Sequence, residues 1–200
     1  MAKRSASSSS QEDFFDAKPI PAGFLYQPEA LSDAEAQSLV AAFAGLDFKP
    51  FEFHGYLGKR RIVSFGWQYE YGSRALRKRD PIPDFLGGLR DKAQAFAGSE
   101  APSFEQVLVT EYAGGAGIGW HRDKAMFEDV VAFSFLAPCL LRFRRKDDAG
   151  WERASVAVQP RSAYLLRGPA RREWEHSVPP VAALRYSVTF RNFTSETRAA

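Results

Sequence analysis

Two histidines and one carboxylate carry the chemistry that this sequence could do. In "GIGWHRDKAMFEDVVAFSF" His121 and Asp123 stand two apart, just before an apolar run, and His176 follows in "REWEHSVPP". The chain holds 3 histidines; His54, outside both stretches, reads as a structural or surface residue. On an extended segment residues i and i+2 point the same way, about 6–7 Å apart. His121 and Asp123 can then converge on one ion, with His176 as a third ligand. Two histidines and one carboxylate on one face of an ion leave positions open, which suits non-haem Fe(II) sites that activate oxygen. It suits structural zinc poorly, because those sites are closed and cysteine-rich. A bare His-X-Asp is a weak signal alone. Its competitor is a half-buried His121 hydrogen-bonded to Asp123, with His176 a surface loop residue.

The surrounding order adds to the signal: Tyr112, then His121 and Asp123, then His176, then Arg185 and Arg191. An iron enzyme with a dicarboxylate co-substrate needs a cation for the remote carboxylate. Arginine fits best, since its planar fork meets a carboxylate with two charge-assisted hydrogen bonds. In "RYSVTFR" strand alternation puts Arg185, Ser187, Thr189 and Arg191 on one face and Tyr186, Val188 and Phe190 on the other. Such a strand either faces water or lines a polar pocket inside a barrel. "VLVTEY" likewise places Leu108, Thr110 and Tyr112 together. Six strand residues span about 20 Å, so Arg185 and Arg191 cannot grip one carboxylate unless the strand bends strongly.

Elements must position these groups. "LSDAEAQSLVAAFAGL" reads as a helix, with Ser32 as N-cap, Glu35 closing a capping box, and Leu39, Val40 and Phe43 as the apolar stripe. "DFLGGLRDKAQAFAG" reads as a second helix. From Ser103 short apolar or alternating runs appear between turns, as in a jelly roll. The expected plan is one α+β domain over residues 19–200, after a disordered, serine-rich tail over 1–18.

With 45% apolar and 26% charged residues in 200, the composition is globular. The single cysteine, Cys139, cannot form an internal disulfide. No apolar run is long enough to span a membrane, and no signal peptide is legible. A cytoplasmic protein without membrane attachment, acting as a monomer, is expected. The formal charge of +3 is modest, but basic residues cluster in "KRR", "RALRKR", "RFRRK" and "RR". Each cluster alone reads as solvated surface.

On "EYAGGAGIGWHRDK", "WEHSVPP" and "LRYSVTFR" the chain resembles the AlkB-like Fe(II)/2-oxoglutarate-dependent dioxygenases. The resemblance is firm over about Phe104 to Phe193 and looser over about Phe65 to Leu86. It implies a double-stranded β-helix, a jelly-roll barrel with flanking N-terminal helices. It implies Fe(II) at His121, Asp123 and His176, with O2 as oxidant. It implies 2-oxoglutarate at Tyr112 and Arg185, in a pocket lined by the segment from Arg185 to Arg191, including Ser187. Where the family often has asparagine, this chain has Thr110, so one hydrogen bond is lost or replaced. The implied reaction is oxidative dealkylation: an alkyl carbon on nitrogen is hydroxylated and leaves as an aldehyde.

The implied substrate is alkylated DNA or RNA. "SFGWQYEYGSRALRKR" offers Trp67, Tyr69 and Tyr71 on one alternating face beside basic residues, in the place of the family's substrate lid. Aromatic stacking there is worth about 1–3 kcal/mol per base. The competing reading is a strand packing its aromatics into the core. Ala125 stands where some base-repairing members carry an acidic residue. That permits the same chemistry on a protein or small molecule; a catalytically silent binding module is the third reading. Trp120 and Trp174 are read as packing residues.

Overall fold

The computed structural model describes residues 20–53, 56–70, 75–148 and 150–199. The expected tail, His54 and Tyr71 lie outside them. Strand β1 (Phe24–Gln27) leads to helix α1 (Asp33–Phe43), then strands β2 (Lys49–Phe53), β3 (Tyr56–Phe65), β4 (Trp67–Glu70) and β5 (Ala75–Lys78). A 3-10 turn at Asp84–Leu86 opens helix α2 (Gly87–Ala97). Strands β6 (Gln106–Tyr112), β7 (Ile118–His121), β8 (Phe127–Leu136), β9 (Cys139–Asp147), β10 (Gly150–Val158) and β11 (Ala163–Leu166) follow. Short helix α3 (Gly168–Arg172), strands β12 (Glu175–Val178) and β13 (Arg185–Phe193) and helix α4 (Ser195–Ala199) complete the order.

Helix α1 begins where the sequence predicts. The Ser32 hydroxyl accepts from Glu35 N at 3.2 Å, and the Ser32 backbone N donates to the Glu35 carboxylate at 2.8 Å. Those bonds and Lys92, 3.1 Å away on α2, pull the Glu35 pKa down to about 2. The reciprocal bonds satisfy backbone donors that a helix start otherwise leaves open.

A seven-stranded sheet runs β1-β11-β8-β13-β6-β3-β2 and a four-stranded sheet runs β10-β9-β12-β7. All their pairings are antiparallel. Strands β6, β8, β11 and β13 belong to the larger sheet, and β7, β9, β10 and β12 to the smaller. The chain thus weaves between the sheets, as the expected double-stranded β-helix requires.

Two cores follow from strand alternation. Tyr186, Val188 and Phe190 of β13 join Val107 and Val109 of β6 beneath Phe43 of α1 and Leu89 and Ala93 of α2. This apolar face needs the helices over it. On the opposite face, Tyr112, Val130 and Leu166 meet Leu141, Phe143 and Val178 of the smaller sheet. The polar residues of β13 therefore point between the sheets, not into water.

Candidate active site

Strands β7 and β12 pair so that His176 stands directly across from His121. Side chains so placed have Cβ atoms about 4.5–5.5 Å apart, and the two imidazole centroids lie 4.3 Å apart. His176 is buried within a strand, not on a surface loop. Asp123 lies just past the end of β7, in the following loop, and lines the same cavity as His121. Arg171 of α3 fastens that loop, donating to the carbonyls of Lys124 and of Phe127, the latter at 2.8 Å.

Close backbone approach keeps β7 against the segment after β12. A Cβ on Gly117 would meet the Val178 carbonyl oxygen at 2.6 Å and the Pro179 carbonyl carbon at 2.9 Å. Gly117→Ala should push β7 off β12, separate the two histidines and weaken divalent-metal affinity about tenfold or more, as when support for a ligand is lost. Metal titration of the folded variant checks this; unchanged affinity would show that the glycine does not set the site.

Protonation states suit a cation. His121 Nδ1 lies 2.9 Å from the Gly119 carbonyl oxygen. A carbonyl only accepts, so Nδ1 carries the proton and Nε2 keeps its lone pair. Burial lowers the pKa of His121 and pushes that of His176 down to about 3. Burial alone would raise the Asp123 carboxyl, but Arg191, the histidines and Arg171 outweigh it and hold it below the ordinary carboxylate range. His176 Nε2 and Asp123 Oδ2 face each other at 3.6 Å, too long for a hydrogen bond. Two imidazoles and a carboxylate gathered in this way form a donor set of the kind that divalent transition metals accept.

These shifts also tie stability to pH. The unfolded chain protonates His176 near its ordinary value of 6.5, whereas the fold keeps it neutral down to about 3. Between those values the unfolded state binds more protons, so metal-free stability should fall as pH drops from about 6.5 toward 3. The lowered Asp123 acts in the same direction. Denaturant midpoints of the metal-free protein across that range check this, and a flat profile would contradict it.

Arg191 donates to Asp123 Oδ1 through Nε at 3.0 Å and through a terminal nitrogen at 2.9 Å, and to Gln106 Oε1 at 3.0 Å. Arg185 sits at the other end of β13. It is 1% exposed, lies over the Tyr112 ring at 5.0 Å, and its Nε has no hydrogen-bond partner. Among the described residues no carboxylate pairs with it. A buried charge without a counter-ion is costly, so this cation calls for an anionic ligand.

One cavity of about 910 Å³ joins both ends. Thr110, Tyr112, His121, Asp123, His176, Arg185, Ser187, Thr189 and Arg191 all line it. Trp67 is elsewhere: it packs edge-on against Phe193 at 6.0 Å. The Tyr69 side chain and Tyr71 lie outside the described residues. Sequence reading missed Tyr164, which lines the cavity between the sheets and whose phenol burial pushes up, keeping it a neutral donor. It also missed Cys139, whose thiol is close enough to Arg185 to feel its charge, and Ser134, opposite Ser187 with a buried hydroxyl that has no hydrogen-bond partner among the described residues. A lone hydroxyl in the apolar run "AYLL" was the available signal for Tyr164.

A family model described as the 2OG-Fe(II) oxygenase superfamily matches residues 23–191. A protein of Arabidopsis thaliana, named alkylated DNA repair protein ALKBH8 homolog, is 29% identical over 184 residues, covering 80% of this chain and 51% of the relative. A mouse protein named tRNA (carboxymethyluridine(34)-5-O)-methyltransferase ALKBH8 is 25% identical over 170 residues, covering 80% of this chain and 25% of the relative. The chain thus spans about half the length of the first and about a quarter of the second. The solved structure of OsALKBH1 superposes with a TM-score of 0.65 at 18% identity, over 87% of this chain and 98% of that one. A prolyl hydroxylase from Trichoplax adhaerens superposes at 0.63 and 15% identity, over 88% and 86%. These last two likenesses concern the fold. With the motif order, the jelly-roll topology and the matched family model together, the chain belongs to the 2OG-Fe(II) oxygenase superfamily, dioxygenases using Fe(II), 2-oxoglutarate and O2, and is similar to AlkB homologues within it.

Proposed function

We propose that this chain removes alkyl groups oxidatively from nitrogen atoms of bases in DNA or RNA. His121, Asp123 and His176 hold Fe(II). Arg185 binds the far carboxylate of 2-oxoglutarate, with Tyr112, Thr110 and Ser187 beside it. The observation that carries the reading is the shared cavity: a neutral-imidazole and carboxylate cluster at one part, and a buried arginine without a counter-ion at another.

Bound there, Fe(II), O2 and 2-oxoglutarate supply the oxidation of a C–H bond, with succinate and carbon dioxide as co-products. The chain's own residues do the rest. Arg191 keeps Asp123 ionised and fixes its orientation. The Gly119 carbonyl fixes the His121 tautomer. Arg185 orients the dicarboxylate, and the surrounding apolar side chains, Leu141, Leu166 and Val178, exclude water.

The substrate class rests on charge and on the relatives' names. The cavity lining carries Lys49, Arg60, Arg79, Arg122 and Lys124 against Asp47, Glu52 and Asp80. That balance favours a polyanion at the opening. The fold alone selects no substrate, since a prolyl hydroxylase shares it. The test is turnover on single-stranded DNA and RNA oligonucleotides with N-methylated bases, reading formaldehyde and succinate together. Matched formaldehyde and succinate are expected. Succinate alone, unchanged by every oligonucleotide, would move the substrate to a protein or small molecule.

A further inference from the structure

The outer face of the four-stranded sheet holds a cluster that the reaction does not use. On β9 Leu141 and Phe143 point inward, so Arg142, Arg144 and Lys146 point out. Their partners on β10, Ser155, Arg153 and Trp151, share that face. Trp120 of β7 joins them, since its neighbour His121 points into the cavity.

Aromatic rings and cations alternate across this face. Arg142 lies 4.9 Å from the Trp120 ring centroid, and Arg144 lies 4.5 Å from both the Trp120 and the Trp151 rings. Trp151 is 47% exposed although it is a tryptophan. Arg144 is paired with Glu175 at 2.6 Å. Arg142 donates to the Ser177 hydroxyl at 3.1 Å. Among the described residues Arg142, Lys146 and Arg153 meet no carboxylate. A purely structural ladder would balance these charges and bury the outer ring; this one leaves both available.

We propose that this face is a second binding track, taking unpaired nucleic acid beside the nucleotide that enters the cavity. It rests on the nucleic-acid reading above and adds a site to it. Charge complementarity supplies the phosphate contacts, and Trp151 offers a base-stacking surface indifferent to sequence. Guanidinium groups stacked on rings still present their edges to phosphate. The track is continuous with the active site around the edge strand β7, where Trp120 and His121 face opposite ways and exposed Arg122 follows. A single strand can bend around that edge; a duplex is too stiff.

The experiment is fluorescence anisotropy of an unmodified, labelled single-stranded oligonucleotide, as DNA and as RNA, titrated across salt. The proteins are wild type, Trp151→Ala, Trp151→Phe and Arg153→Glu, with melting temperature and substrate-free succinate formation as controls. Trp151→Ala should weaken binding about fivefold to a hundredfold, and Trp151→Phe should restore most of it. Arg153→Glu should flatten the slope of log affinity on log salt by about 0.7 for each phosphate no longer neutralised. Basal succinate formation should not change in any variant. Unchanged binding and slope in Trp151→Ala and Arg153→Glu, with wild type binding tightly, would overturn the track and leave the substrate reading standing. No binding by wild type would overturn both. Binding of polyglutamate but not of oligonucleotides, abolished in these variants, would assign the face to an acidic protein instead.

Discussion

Replacing Arg185 with methionine should raise the 2-oxoglutarate concentration for half-maximal turnover by about 30-fold to 3,000-fold. Truncating one partner of a buried, hydrogen-bonded charge pair costs about 2–5 kcal/mol, and each 1.4 kcal/mol is tenfold. Arg185 qualifies because it is wholly buried and its Nε has no hydrogen-bond partner among the described residues. The same substitution should not lower the melting temperature of the ligand-free protein, since it deletes a buried charge without a counter-ion. Added 2-oxoglutarate should then raise the wild-type melting temperature and leave the variant's unmoved, because only a ligand that binds the folded state stabilises it. Steady-state kinetics and thermal unfolding check the two halves. A variant with ordinary 2-oxoglutarate dependence would show that Arg185 does not hold the co-substrate.

His121→Ala and Asp123→Ala should each reduce turnover by about a thousandfold or more. A metal ion contributes several kcal/mol at the transition state, and each 1.36 kcal/mol is tenfold in rate. Their effects on folding should differ. His121 is neutral, so its removal leaves no charge behind. Asp123 accepts from Arg191 at the end of β13. Its loss leaves the Arg191 guanidinium, among the described residues, with the neutral Gln106 and the Phe127 ring, which should cost about 3–5 kcal/mol as for other broken buried pairs. Equal destabilisation by the two substitutions would contradict this arrangement, and substantial residual turnover in either would remove that residue from the metal site.

Much of this site was legible because strand chemistry repeats every two residues. The alternation in "RYSVTFR" separated the residues that line the cavity from those that pack beneath the helices. It could not say which face looked inward, because a water-facing strand reads identically. Helices α1 and α2, covering Tyr186, Val188 and Phe190, decide that. The pairing of His176 with His121 was not readable, since register across distant strands is set by the whole sheet and not by local sequence. Strand length argued that Arg185 and Arg191 could not share one carboxylate, and they occupy different ends of the cavity, Arg191 on Asp123. Tyr164 escaped notice because a tyrosine in an apolar strand looks like core until the opposing sheet is in place. Trp120, read as a packing residue, packs against the guanidinium groups of Arg142 and Arg144 on the outer sheet face.

Anaerobic titration with Fe(II) and 2-oxoglutarate tests the central claim most directly. The wild type should develop the visible charge-transfer band of the chelated co-substrate, saturating at one Fe(II) per chain. The band should vanish in His121→Ala and demand far more 2-oxoglutarate in Arg185→Met. Absence of the band in folded wild type, or its persistence in His121→Ala, would contradict the assignment of His121, Asp123 and His176 as the iron ligands.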